Sequence, residues 1–229
     1  FIIEDNAVKG VITQTGEKIY APAVILACGH SARDTYAMLA ENKIAAEAKA
    51  FAIGVRIEHP QELIDRAQYG EFAGHPKLGA ADYAVVWHNP ESTRTAYSFC
   101  MCPGGYVVNA SSEPEMLAVN GMSYQARDSR NANSALIVSV TPADFPEEGP
   151  LGGVAFQRNL ERAAWKAGNG KVPVQLFEDY QNHKPSTRLK DVEPCIKGDC
   201  VPGDVRSIFP KEIGDSIDCL LYTSDAADE

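Results

Sequence analysis

Several signatures are missing from this chain, and each absence removes a class of function. No apolar run approaches the ~20 residues that a membrane-spanning helix needs. Positive charge is scarce: 21 Lys and Arg stand against 31 Asp and Glu, a net charge of −10. That balance argues against nucleic acid or an anionic membrane surface as the main partner. No Gly-x-Ser-x-Gly is present, so a hydrolase built on a nucleophile elbow has no support. The five histidines show no spacing such as His-x3-His, and no pair among the six cysteines forms a Cys-x2-Cys knuckle. No metal is therefore expected. Irregularly spaced cysteines in a chain of 229 residues do not make a secreted disulfide scaffold. No secretory signal is visible. Reduced thiols and a cytoplasmic location are expected.

What remains is the composition of a globular enzyme, with 45% apolar and 23% charged residues. The length allows one large or two small domains with a real core. The most informative stretch covers residues 21–39. A short apolar run at 23–27 reads as a strand buried on both faces. Gly29 permits a tight turn, and Ser31 is placed to cap a following helix, with Asp34 at the capping-box offset. Strand, small-residue turn and helix N-terminus together form a corner suited to a pyrophosphate-like anion. Residues 1–5 and 7–13 read as strands, 15–17 as a hairpin turn, and 18–20 as a return strand. On these residues alone, any β-meander feeding an α/β unit would do as well.

Ala27-Cys28-Gly29 resembles the second FAD motif of flavoproteins with two dinucleotide-binding domains. That motif is an apolar strand ending in Ala-Thr-Gly after a hairpin. With the following Gly-His-Ser-Ala-Arg-Asp-Thr, the stretch is similar to a group of bacterial FAD-dependent dehydrogenases. The resemblance implies an α/β protein of mixed α+β character. It would be part of a Rossmann-type FAD-binding domain (residues 1–47) with an inserted β-rich substrate domain (residues 48–218). It also implies an oxidoreductase that passes a hydride or electron pair between a small-molecule substrate and FAD. NAD(P)H as electron donor stays open. So does a non-catalytic flavin- or nucleotide-binding module, or an RNA-modifying one, of the same fold. Ala27, Cys28, Gly29 and His30 should lie near the adenosine or pyrophosphate, with Ser31, Arg33 and Asp34 beside them.

An FAD enzyme of this kind should carry Gly-x-Gly-x-x-Gly, and the chain does not. With Phe1 in place of Met, an interior fragment is expected. Residues 219–229 resemble a translated sequencing adapter, and such a tail should pack against nothing.

Residues 42–50 read as a helix end and linker. Residues 51–59 alternate cleanly, with Phe51, Ile53, Val55 and Ile57 on one side and Arg56 and Glu58 on the other. That is a half-buried strand of a mixed or antiparallel sheet. A short helix is expected at 61–68, and further strands at 83–88, 94–101, 106–109 and 134–140. Apolar residues at helical spacing mark a helix around 156–167, stopped by Gly168-Asn-Gly170. Residues 174–180 fit either strand or helix. Residues 184–204 read as loop, and a helix starts near 210.

Two strings in the inserted domain attract attention. Cys102-Pro103-Gly104-Gly105 forces a turn between strands and would offer backbone amides to a ligand. The same string serves equally as a plain hairpin, but the resemblance puts it near the flavin ring. Residues 120–134 are polar and read as a loop in which Arg127, Arg130, Asn131 and Asn133 could orient a carboxylate or carbonyl substrate. Catalytic residues and oligomeric state are not legible.

Overall fold

The computed structural model describes residues 1–225, and the side chains of residues 1–222. The chain opens with a three-stranded antiparallel meander of β1 (Ile2–Glu4), β2 (Ala7–Ile12) and β3 (Lys18–Tyr20). It matches the hairpin pattern read from residues 1–20. Residues 21–32 follow without regular structure and lead into helix α1 (Arg33–Glu41).

The main body is a four-stranded antiparallel sheet. Its first strand is β4 (Phe51–Pro60), followed by helix α2 (Gln61–Tyr69). Strand β5 (Val86–His88), strand β6 (Thr95–Cys102), the hairpin strands β7 (Gly105–Asn109) and β8 (Val119–Ser123), and β9 (Asn131–Val140) come next. The sheet runs β4-β9-β6-β5, so β4 lies at an edge. A second sheet has β7 at its centre, with β8 antiparallel on one side and β11 (Ile196–Lys197) parallel on the other. Helix α3 (Gly152–Ala167), the short strands β10 (Val172–Val174) and β12 (Cys200–Pro202), helix α4 (Phe177–Gln181) and helix α5 (Lys211–Asp225) complete the chain.

Period-2 alternation along β4 and β9 explains where the core sits. Phe51, Ile53 and Val55 pair with Val140, Val138 and Leu136, and all six side chains leave the same face. Leu136, Val138 and Val140 are buried there with Ile213, Ile217 and Leu220 of α5 and Phe156 of α3. The α5 residues recur at intervals of four and three, one stripe of a helix. Phe145 extends the cluster, stacked on Phe51 at 5.3 Å between ring centroids. Fully burying one such side chain contributes about 1.5–3 kcal/mol.

Five sequence expectations need correction. Residues 23–27 are not a buried strand, since Ile25 is 90% exposed. A strand buried on both faces needs ladder partners at its edges and cover on both sides, and no described strand runs beside this segment. Ser31 does not cap α1: the N-cap is Ala32, without a side-chain bond. Residues 120–134 are not one loop, because β8 and the start of β9 occupy most of them. Asn, Gly and Ser disfavour strands, but pairing with buried neighbours overrides that preference. Residues 184–204, read as loop, also carry β11 and β12.

The fifth correction concerns residues 219–229. Helix α5 runs on through Asp225, and Leu220 is fully buried in the core. Amphipathic spacing continues across Ile213, Ile217, Leu220 and Leu221, so this part of the segment packs as helix. Residues 226–229 lie outside the described residues. Leu220→Ala is expected to lower unfolding free energy by about 2–5 kcal/mol. Deleting 219–229 should likewise lower Tm by several degrees. Denaturant and thermal unfolding of both variants check this, and an unchanged Tm would return the segment to an unpacked tail.

Candidate functional site

The corner at residues 27–31 is open. Ala27, Cys28, Gly29, His30 and Ser31 are all exposed, as is Asp34. Gly29 adopts φ +81°, a conformation that favours glycine, and an added Cβ would find nothing within 4 Å. The Tyr36 hydroxyl donates to the Gly29 carbonyl at 3.1 Å and ties the turn to α1.

Arg33 behaves differently from its neighbours. It is only 5% exposed and is held entirely by its own chain. Its guanidinium makes a short contact to Glu113, donates to Glu161 at 2.6 Å and reaches Gln157 at 3.4 Å. Glu113 also accepts from Arg158 at 2.6 and 2.9 Å. A buried guanidinium needs opposite charge, and two carboxylates supply it. Arg33 is therefore an anchor joining α1 to α3, not a group free for a cofactor. Arg158 and Arg33 together hold the Glu113 carboxyl down to about 2.

The turn at Pro103–Gly105 is buried and its polar groups are engaged internally. The Gly104 amide donates to Gln61 Oε1 at 2.7 Å. Gln61 in turn donates to the Ala81 carbonyl at 2.9 Å and to Asp65 at 2.8 Å. The Pro103 carbonyl accepts from the Ser123 hydroxyl at 2.8 Å, and the Gly104 carbonyl accepts from the Ser129 amide at 3.2 Å. The expectation that this turn offers the Gly104 amide outward is corrected: Gln61 satisfies it. Glycine is required at 104 by φ +47° and by the Arg127 carbonyl, 1.9 Å from an added Cβ.

The four residues read as substrate contacts separate into two pairs. Arg127 is exposed on the turn before β9, and Arg130 forms a surface ion pair with Glu193 at 3.0 Å. Asn131 and Asn133 are buried at the start of β9. Asn131 Nδ2 donates to Glu58 at 3.0 Å and to the Glu193 carbonyl at 2.9 Å. Asn133 Oδ1 accepts from Arg56 Nε at 2.8 Å. The fold thus gathers the asparagines around Arg56 and Glu58 and leaves the two arginines in solvent.

Arg56 is the residue that sequence reasoning missed. It donates to Asn120 Oδ1 at 3.3 Å, to the Cys100 carbonyl at 2.5 Å and to Cys102 Sγ at 3.5 Å. No carboxylate pairs with it among the described residues, and burial lowers its pKa. Its only sequence signal was an outward position on an alternating strand, which most surface arginines share.

A cavity of about 720 Å³ runs along the edge strand β4 and has Arg56 in its wall. His30 stands at one part of it, Gln157 and Leu160 of α3 at another, and Phe99, Cys100 and Ala135 line the sheet side. Its size falls in the range of small-molecule and cofactor sites, and its lining is mostly apolar with a few polar groups.

The family described as FAD-dependent protein, C-terminal domain-like matches residues 50–225. The chain belongs to this family. The match begins one residue before β4, where the linker after α1 ends. An uncharacterized protein of Clostridium beijerinckii (strain ATCC 51743 / NCIMB 8052) is 52% identical over 193 residues, covering 83% of this chain. The chain covers 36% of that relative's length.

The family points to FAD, and two features of the chain fit parts of it. The open turn at Gly29 suits close backbone approach to that cofactor, and the mostly apolar cavity leaves room beside it for a small apolar compound. Among the described residues there is no group of three or more His, Cys, Asp or Glu that could hold a metal ion. No described helix is long and apolar enough to cross a membrane. A half-buried pair, with His59 Nε2 and the Tyr83 hydroxyl 2.9 Å apart, sits outside the cavity wall. Burial pushes Tyr83 up to about 12 and His59 down, so both are neutral near pH 7.

Gly104→Ala is expected to lower Tm sharply, because it adds left-handed strain and a backbone clash. Thermal unfolding checks it, and an unperturbed Tm would mean that the turn is free to move. Glu113 gives a pH prediction. Its folded value lies below the ordinary 4.5, so its stabilisation is present above about 4.5 and is lost as pH falls toward about 2. Glu113→Gln should therefore flatten the stability curve across that window, as read by urea unfolding at stepped pH. An acid limb as steep as that of the unaltered chain would assign the loss to other carboxylates.

Proposed function

We propose that this chain is the substrate-presenting part of an FAD-dependent oxidoreductase. Residues 48–218 would form the substrate domain, and residues 1–47 would contribute to a Rossmann-type FAD-binding domain. One juxtaposition carries the reading: His30, next to the exposed Gly29 turn, lines the same cavity as Arg56 and the apolar wall of β9 and α3. Family membership supports FAD as the cofactor, and that cavity offers room for a small, largely apolar substrate.

Bound FAD would accept or donate an electron pair, and the protein would supply binding and orientation. His30 and Gly29 would meet the cofactor at the corner. Leu160, Ala135 and Ile137 would exclude water from the substrate, and the Arg56 charge would set a positive potential at the wall. Arg33 would position the corner through α3 without touching the ligand.

The test uses the full-length protein loaded with FAD. Ala135→Trp fills the cavity from the sheet side. It is expected to slow substrate-driven flavin reduction by about tenfold or more while leaving the amount of bound FAD unchanged. Screening small apolar donors for bleaching of the flavin absorbance supplies the substrate. A full-length protein that binds no FAD would overturn the reading. So would a variant that reduces its flavin as fast as the unaltered enzyme.

A further inference from the structure

The cavity wall around Arg56 follows from the ladder. Arg56 pairs with Ala135, and Ala135 pairs on its other side with Phe99. Directly paired residues share a face, so the three form one row across β4, β9 and β6, and all three line the cavity. One row away, Gly54 pairs with Ile137, and both line it too. This is the face opposite the α5 core. Gly54 and Ala135 fill little space, so the middle of the face is low, with Arg56 at one margin and Phe99 at the other. The trough spans two strand spacings, about 10 Å. Phe99 is 56% exposed, an apolar ring that its own chain leaves uncovered.

The polar margin has donors to spare. A guanidinium carries five N–H groups. Arg56 gives Nε to Asn133 Oδ1, one Nη1 hydrogen to Asn120 Oδ1, and its Nη2 to the Cys100 carbonyl and the Cys102 sulfur. The second Nη1 hydrogen remains. Asn120 lines the cavity beside it, and its Oδ1 also accepts from the Gly121 amide at 2.8 Å. Two donors on Oδ1 fix how the side-chain amide is turned, which leaves Nδ2 for a ligand. Nη1 stands 3.3 Å from Asn120 Oδ1, so the two open donors are neighbours. Adjacent donors, one of them charged, suit a carboxylate.

Charge limits what that ligand can be. The groups that Arg56 touches are two amide oxygens, a carbonyl and a sulfur, with no carboxylate among the described residues. A buried cation without a counter-ion is destabilising, and an anion in the cavity would relieve it. Among the described residues the wall holds no second Lys or Arg. Glu58, two residues along β4 on the same face and about 6.8 Å away, also lines the cavity. Its Oε2 is held by Asn131 Nδ2 at 3.0 Å and by the Cys195 amide at 2.7 Å. That carboxylate repels further negative charge at its end of the trough, so a single anionic group fits on the Gly54 side of Arg56.

We propose that the compound taken into this cavity is an apolar monocarboxylate. Arg56 and Asn120 hold its carboxylate, and its hydrocarbon body lies over Gly54, Ala135 and Ile137 against Phe99. This rests on the reading of the cavity as the substrate site. It also relocates the carboxylate contact from Arg127 and Arg130, which stand in solvent, to Arg56. Dicarboxylates and phosphate monoesters bring a second charge that meets Glu58 and no second cation.

The test is isothermal titration of the full-length protein, as purified, with octanoate and with octanamide, which keeps the body and removes the charge. Octanoate is expected to bind about tenfold or more tighter than octanamide, and tighter than octyl phosphate. Arg56→Met should erase the advantage of octanoate, Arg56→Lys should keep part of it, and Ala135→Trp should weaken both ligands. Equal affinities of octanoate and octanamide for the unaltered protein would overturn the proposal, whether or not Arg56→Met folds. So would an octanoate affinity indifferent to both Arg56→Met and Ala135→Trp. The heat of binding requires no flavin turnover, which separates this inference from the redox reading. A carboxylate preference in a protein whose flavin no carboxylate reduces would support the pocket chemistry and count against that reading. Flavin reduction by neutral donors, with no carboxylate preference in binding, would do the reverse.

Discussion

The antiparallel ladder between β4 and β9 governs the molecule. Ten residues of each strand pair in continuous register, from Phe51 with Val140 to Pro60 with Asn131. Strand geometry then divides every side chain between two faces. One face takes Ile53, Val55, Leu136 and Val138 and becomes the core under α5. The other takes Arg56, Glu58 and Asn133 and becomes the polar wall. A slip of one residue would exchange the faces, burying Arg56 under α5 and exposing Leu136. Core and site are thus set by a single register.

Charge performs the corresponding task for the N-terminal segment. The meander and α1 bury little apolar surface of their own, and Ile3, Ile12 and Ile19 remain exposed. Their firmest attachment is Arg33, set among Glu113, Glu161 and Gln157. Bidentate geometry and double neutralisation make this a directional joint rather than a greasy one. It fixes where the turn at Gly29 and His30 stands relative to α3.

Local pattern made part of this legible. Alternation at 51–59 gives β4, and the stripe from Phe156 to Ala167 with its glycine stop gives α3. Residues 23–27 show the limit of that reasoning. An apolar run specifies a buried strand only when neighbours exist to pair with it, and the run itself carries no information about them. Asn120 and Asn133 show the opposite limit. Their composition says loop, while long-range pairing makes them strand. The turn at Pro103–Gly105 was legible as a turn, but Gln61, forty-three positions away in the sequence, decides what its amide does. Arg56 was visible only as an outward residue; its lack of a carboxylate partner among the described residues exists in three dimensions alone.

Being an outer strand has a consequence for β4. Its inner edge is committed to β9, so the peptide groups along its other edge have no ladder partner within this sheet, and the cavity runs beside them. Whatever occupies that space meets amide and carbonyl groups at a fixed repeat of about 6.8 Å, every second residue. Those groups belong to the main chain, so no side-chain replacement other than proline removes them. Recognition at this wall would persist through sequence drift, and an alanine scan of Ile53, Val55 or Glu58 would under-report it. Backbone chemistry, such as an amide-to-ester exchange, is the perturbation to which it would respond.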